Sequence, residues 1–493
     1  MTIPFKTIPA NLRVPLFYAE VDNSRANTAV AVQRALIIGQ YSALSGAVVN
    51  VPILSQGSAD AAAKFGAGSN LALMVDAYRQ NDTFGELWCL PVADDAGGVA
   101  ATGSLQFTAA ATVNGAFYLY VAGYRYALPV LSTQTVSQLA TALAALVNAN
   151  AASPVTASTS TGTVTFTAVN KGPTGNDIDI RVNYAGAAGG EASPTGLAWT
   201  ITPMASGATA PSLTAALANL ASKSFDFIVS PYTDSTSLDA LKSLLNDSTG
   251  RWSYQQQLYG HVFAARAGTV GALTTFGSGR NHQHESVLGI YDSPTPAWLV
   301  AAALGGAAAA SLRSDPGLPL QTVVLRGVLP PPVQSRFTLA SRNSLLYTGV
   351  STFTAADDGT VAIENLITTY QTNAFGAADN SYLQVETLFL LSFVLRDLSG
   401  VITSKFARVK LADNGTRTSA PNVVTPNTIR AELIARYRVL EENGYVQNGD
   451  VFKNGLVVER NAQNPNRVDV LWPGILIAQL RVFALLAQFR LIA

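Results

Sequence analysis

The stretch that most constrains this chain runs from Asn343 to Gly415. Leu345, Tyr347 and Gly349 alternate with other residues, and Asp357-Asp358-Gly359 tolerates the positive backbone dihedrals of a tight turn. Alternation resumes through Val361 and Ile363 toward Ile367, so the pattern predicts a strand pair. Past a loop at 376–380, Leu383, Leu388, Leu391, Val394, Leu395 and Leu398 recur at roughly helical spacing, and Gly400 suits a helix end. The segment therefore predicts a long, nearly all-apolar helix, which any fold must receive in a core.

The flanking sequence alternates strand and helix patterns. Ala35–Gly39 and Glu86–Val92 read as buried strands, with helices beginning at Ser58 and at Ser69 between them. Farther on, strands are expected at Phe225–Pro231, Tyr259–Ala264 and Val287–Tyr291, with helices at Ser237–Leu245, at Thr269–Phe276 and after Pro296. Such alternation predicts an α/β core, a mixed or parallel, doubly wound sheet with flanking helices, in two parts at 26–95 and 207–342. Between them, 96–206 is dominated by Gly, Thr, Ser and Ala, with short strands at Phe117–Val121, Val164–Thr167 and Asp179–Tyr184 and a helix at 135–149. This reads as an inserted, mostly β domain in a multidomain chain. A further domain is expected over 343–474. In it Pro426–Glu442 forms a helix burying Ile429, Leu433, Tyr437 and Leu440, and a strand at Val468–Trp472 stops at Pro473.

Both termini read as extended arms. In residues 1–25 the prolines at 4, 9 and 15 forbid a helix, and Val14, Leu16, Phe17, Tyr18 and Val21 lie in a strand-like run with no hairpin partner nearby. Ten extended residues reach about 33 Å. This strand either folds back as an edge on its own core or adds to a neighbouring subunit's sheet. The tail, 475–493, carries Leu480, Val482, Phe483, Leu485, Phe489 and Leu491. As a helix it would have polar residues on opposite sides. As a strand, Gln479 and Arg481 share one side while Gln488 and Arg490 share the other, which predicts two strand segments with a break near 484–487. An exposed apolar strand invites edge pairing.

Composition narrows the function classes. The 31 basic and 31 acidic residues balance, which argues against a nucleic-acid binder and leaves little long-range repulsion against self-association. Charged residues are only 13% of the chain, so either much of the surface meets other subunits or an Ala-, Gly- and Thr-rich surface is simply neutral. The apolar run Ala297–Leu312, interrupted by Gly305-Gly306, reads as a closely packed buried helix too short to span a membrane. The amino terminus has no apolar core of a signal peptide, and a single cysteine, Cys89, excludes an intrachain disulfide framework. No nucleophile elbow, phosphate loop, dinucleotide fingerprint or zinc-protease motif occurs. His282 and His284, in Arg280-Asn-His-Gln-His-Glu285, read as an ordinary polar loop rather than a metal site. No cofactor and no enzyme activity are expected.

The pattern GxVxIxxxITTYQxNxFGxxDxSYLxVET at 359–387, followed by SKFARVKLADNG at 404–415, resembles the Mu-type family of phage tail sheath proteins. FGAGSNLALMVDAYRQND at 65–82 and LLNDSTGRWSYQQQLYGHVFAARAGT at 244–269 match it too, and the resemblance covers essentially the whole chain. It implies a subunit of a contractile tail sheath in the virion tail, assembled in the bacterial cytoplasm as stacked hexameric rings around a tail tube. The implied partners are further copies of the chain, the tube protein, and baseplate and tail terminator proteins, without direct nucleic-acid contact or membrane insertion. It also implies that a helix of the carboxy-terminal domain faces the tube, which makes Arg430, Arg436 and Arg438 candidate contacts. The sheath of a phage-derived bacteriocin or other injection device fits equally, and an α/β hydrolase-like enzyme with a β insert fits only the coarse fold.

Overall fold

The computed structural model describes residues 33–417, 420 and 422–491. The amino-terminal arm, with Val14, Leu16, Phe17, Tyr18 and Val21, lies outside the described residues.

The chain enters the core as β1 (Ala35–Gln40), buried at all six positions. A strand covered on both faces has no polar side, which is why it reads as an unbroken apolar run. A short β2 (Ile53–Leu54) leads to α1 (Ser58–Phe65) and α2 (Asn70–Arg79). Ser58 opens α1 but does not cap it; the preceding Gly57, at φ 129°, holds a turn that needs glycine. Ser69 does cap α2, accepting the Ala72 amide at 3.2 Å. The chain then returns as β3 (Leu87–Val92), parallel to β1.

Residues 100–205 form a separate β layer. β4 (Ala100–Ala109), β5 (Gly115–Val121) and β6 (Tyr124–Val130) precede α3 (Val136–Asn148), and β7 (Val155–Ser160), β8 (Thr163–Lys171), β9 (Ile180–Val182) and β10 (Ala198–Ala205) follow. They pair antiparallel as β10-β4-β8-β7 and β6-β5-β9. Strands β4, β6, β7 and β10 go beyond the sequence expectation, because Thr, Ser and Ala on a half-exposed face carry little hydrophobic contrast. Buried Asn170 ties this layer to the core, accepting the Asn70 amide at 2.8 Å and donating to the Tyr41 carbonyl at 2.9 Å.

After α4 (Thr214–Ala218) come β11 (Phe227–Val229), α5 (Ser235–Leu244), β12 (His261–Ala267), α6 (Val270–Ser278), β13 (Glu285–Ile290) and α7 (Ala297–Ser314). The central sheet has the order β13-β12-β11-β1-β3-β2, parallel throughout except for β2 at its edge. Its two faces are covered separately. Ala35, Ile37, Phe227 and Val229 pack with α2 and α7, while Leu36, Ile38 and Ile228 pack with α4 and α5. The apolar run at 297–312 continues to Ser314, so α7 is long and apolar enough to cross a membrane, but most of it is buried in this core.

The region read as the opening strand of a hairpin, Leu345 to Gly349, is instead the end of helix α8 (Leu339–Tyr347), capped by Thr338. A three-residue alternation was too short to outweigh the cap. The hairpin lies just beyond, as β14 (Thr352–Ala355) and β15 (Val361–Asn365), turning at Gly359 with φ 87°. The long helix, α9 (Val385–Phe406), passes through Gly400 rather than ending there. A Cβ on Gly400 would touch nothing, so the glycine is tolerated on an open face. The first turns of α9 are buried against the central core; Leu398, Ile402 and Phe406 pack instead on a second core.

That second core belongs to the carboxy-terminal region. β16 (Lys410–Leu411) pairs with β17 (Val423–Val424), and α10 (Pro426–Glu442) follows with Thr425 as its cap. Ile429, Leu433, Tyr437 and Leu440 are buried as expected. β18 (Val446–Gln447), α11 (Gly449–Gly455), β19 (Val457–Arg460), β20 (Val468–Leu471) and β21 (Ile475–Leu476) complete the chain. β21 pairs antiparallel with β18. The two strand segments expected in the tail are not seen here: residues 477–491 have no regular secondary structure.

Candidate assembly surfaces

The tail is attached at one end and bare at the other. Ile475 N donates to Tyr437 Oη at 3.1 Å, Ile477 N to the Tyr445 carbonyl at 3.1 Å, and Gln321 Nε2 to the Leu480 carbonyl at 3.2 Å. Arg481 Nη2 lies 2.6 Å from Glu386 Oε2. Beyond it every described residue is exposed, Val482 and Phe483 at 80%, Phe489 at 83% and Leu491 at 91%. Leu480 and Leu485 are exposed as well, and so is Leu486, which the strand pattern did not single out. A row of large apolar side chains held in water is the physical signature of a contact surface.

The three candidate arginines of α10 differ in what they already hold. Arg430 donates to the carbonyls of Lys453 and Leu456. Arg436 makes a two-pronged ion pair with Asp397 of α9, Nε to Oδ2 at 2.6 Å. Arg438 is exposed and makes no ion pair among the described residues. Aspartate 397 sits beside Arg396, which pairs with buried Asp226 at the start of β11, so consecutive residues of α9 bind the two cores.

The histidine segment is a turn, as expected, but not an exposed one. His261, His282 and His284 are all buried, and the Asn281 and Glu285 side chains accept hydrogen bonds from Gln371 N and Thr369 Oγ1 in the irregular segment after β15. His284 Nε2 lies 2.6 Å from Asp247 Oδ1 and its ring stacks on Trp252 at 4.2 Å. His261 Nε2 lies 2.8 Å from Ser286 Oγ. Burial lowers the basicity of all three, that of His282 to about 3. The serine and the aspartate thus sit on different imidazoles, and Ser286 is fully buried, so the group assembles no nucleophile.

Comparison with known proteins gives the family. The family model described as phage tail sheath protein central domain matches residues 206–369, and that described as phage tail sheath C-terminal domain matches 377–490. The Mu-like prophage FluMu tail sheath protein of Haemophilus influenzae is 40% identical over 494 residues, covering all of both chains. The chain belongs to the phage tail sheath family. Among solved structures, the sheath tail protein of Desulfitobacterium hafniense is 14% identical at a TM-score of 0.48, covering 94% of this chain and 97% of that one. The anti-feeding prophage sheath in its contracted state is 12% identical at 0.46, covering 97% and 99%. This chain is accordingly a structural subunit of a phage-type tail sheath and not an enzyme. Its family-wide domains hold the central-sheet strands β11–β13, α9 and most of the tail; the β layer at 100–205 lies before both.

Proposed function

We propose that this sheath subunit polymerises as stacked hexameric rings around a tail tube, and that contraction of the lattice drives the tube through the host envelope. Subunits are linked by strand exchange through the arms at 1–25 and 475–493. The observation that carries this reading is the tail: residues 482–491 are exposed, largely apolar and without a strand partner in their own described chain. Backbone pairing with a second copy would satisfy both the apolar side chains and the unpaired amides. Balanced charge removes a long-range barrier to such packing.

The domain division follows the same logic. The cores at 26–95 with 207–342 and at 343–474 act as rigid bodies, and the insert at 96–206 occupies the outer surface. Contraction then needs two alternative sets of contacts between rigid cores, with the arms holding neighbours together while the contacts exchange. Tube protein, baseplate and tail terminator are the further partners, in a virion tail assembled in the host cytoplasm. Deletion of 1–22 or of 475–493 is expected to yield soluble protein that forms no tubes in electron micrographs. Normal tubes from both truncations would contradict strand exchange.

A further inference from the structure

Glu386, in the first turn of α9, has no exposed side-chain surface. Its Oε1 accepts the Leu320 amide at 2.7 Å, and among the described residues its one cation is Arg481. A carboxylate in such a place is stable only when paired. The partner comes from a tail that otherwise leaves the core: Ile477, Gln479 and Arg481 are half-buried while Ala478 and Leu480 are exposed, and from Val482 onward the alternation ends and everything is exposed. The side turned toward the core thus carries Ile477, Gln479 and Arg481, while Ala478 and Leu480 face out, and of the two polar residues it is Arg481 that meets an opposite charge inside the subunit.

We propose that Arg481, seated on Glu386, is the pivot of the carboxy-terminal arm. Residues up to 481 stay on the subunit that carries them, and only those from Val482 onward pass to a second copy. What lies beyond the pivot rests on the strand-exchange reading; the seating of Arg481 does not. Arg481 is a positioning residue, setting the point and direction at which the exchanged strand departs. The Arg481 guanidinium is buried, and its contact with Glu386 is an ion pair without hydrogen-bond geometry.

The test is hydrogen–deuterium exchange on the unassembled full-length chain, comparing the parent with Glu386→Gln, Arg481→Gln and Arg481→Lys. Glu386→Gln keeps an acceptor for the Leu320 amide and removes only the charge. Both Gln variants are expected to speed amide exchange across Ile475–Ile477, where Ile475 donates to Tyr437 Oη and Ile477 to the Tyr445 carbonyl, by about tenfold or more while α10 keeps its protection, and Arg481→Lys to restore most of the difference. Unchanged exchange at Ile475–Ile477 in both Gln variants would overturn the pivot. So would loss of protection throughout α9 and α10, which would make Glu386 a general stability group. Since exchange is read before assembly, the result is independent of whether the parent forms tubes, and a parent that forms none would count against strand exchange alone.

Discussion

The guanidinium of Arg396 stands 2.5 Å from the carboxylate of Asp226, which is 2% exposed at the start of β11. The Arg34 amide donates to the other oxygen of Asp226 at 3.1 Å, so one carboxylate gathers α9 and the residue preceding β1. Burial raises this carboxyl above its usual range, and Arg396 opposes the rise. Asp397, the next residue, holds Arg436 of α10. Helix α9 is thereby a strut with one charged residue for each core.

Removing the cation from this pair strands a buried carboxylate. Arg396→Ala is expected to lower stability by about 3 kcal/mol, read as a shift of the urea midpoint. An unchanged midpoint would show that Asp226 is satisfied by the Arg34 amide alone.

The two adjacent glycines of α7 differ in consequence. A Cβ on Gly306 would stand 2.6 Å from the Tyr78 backbone oxygen of α2, which cannot step aside, whereas one on Gly305 would meet a side-chain methyl of Val229. Gly306→Ala is expected to destabilise by about 1–3 kcal/mol by pushing α7 off α2. Gly305→Ala should lower the thermal midpoint less.

Much of this was legible beforehand. Ala35–Gly39 and Leu87–Val92 announced themselves as strands because burial on both faces leaves no polar residue to confuse the pattern, and Pro426–Glu442 because proline, periodicity and a following glycine agree. Leu345–Gly349 misled because an alternation of three residues fits equally one turn of helix. The histidines misled for another reason: their neighbours in sequence are polar, and only the distant Asp247, Trp252 and Thr369 bury them. The tail's polar parity was visible, with Gln479 and Arg481 on one side, but Glu386, the acceptor that explains it, lies 95 residues away in sequence (481 − 386).

The buried histidines make stability depend on pH. Their folded forms hold protons less well than the ordinary value of 6.5, His282 down to about 3, so between these values the unfolded chain binds more protons. The contribution of these histidines is therefore complete above pH 6.5 and falls as pH drops toward 3. Asp247, held low by His284, adds to the fall at its acid end, whereas Glu285 and Asp226, raised by burial, oppose it. Denaturant midpoints at about pH 7 and about pH 5.5 should differ, with the lower pH less stable; a His282→Gln variant should show a shallower dependence.

Of the α10 arginines, Arg438 is exposed and makes no ion pair among the described residues, while Arg436 is held by Asp397. Arg438→Glu is expected to weaken co-sedimentation with the tube protein by about tenfold at low salt with an unchanged thermal midpoint. Arg436→Ala should lower the midpoint. The reverse pattern would assign the tube contact elsewhere.

The central claim, that exposed residues beyond Arg481 link the sheath, is tested most directly by negative-stain electron microscopy at rising concentration. The full-length chain should form hollow striated tubes, and the chain ending at Arg481, which keeps its seat on Glu386, should stay as discrete folded particles. Tubes of the same appearance from both would contradict the account.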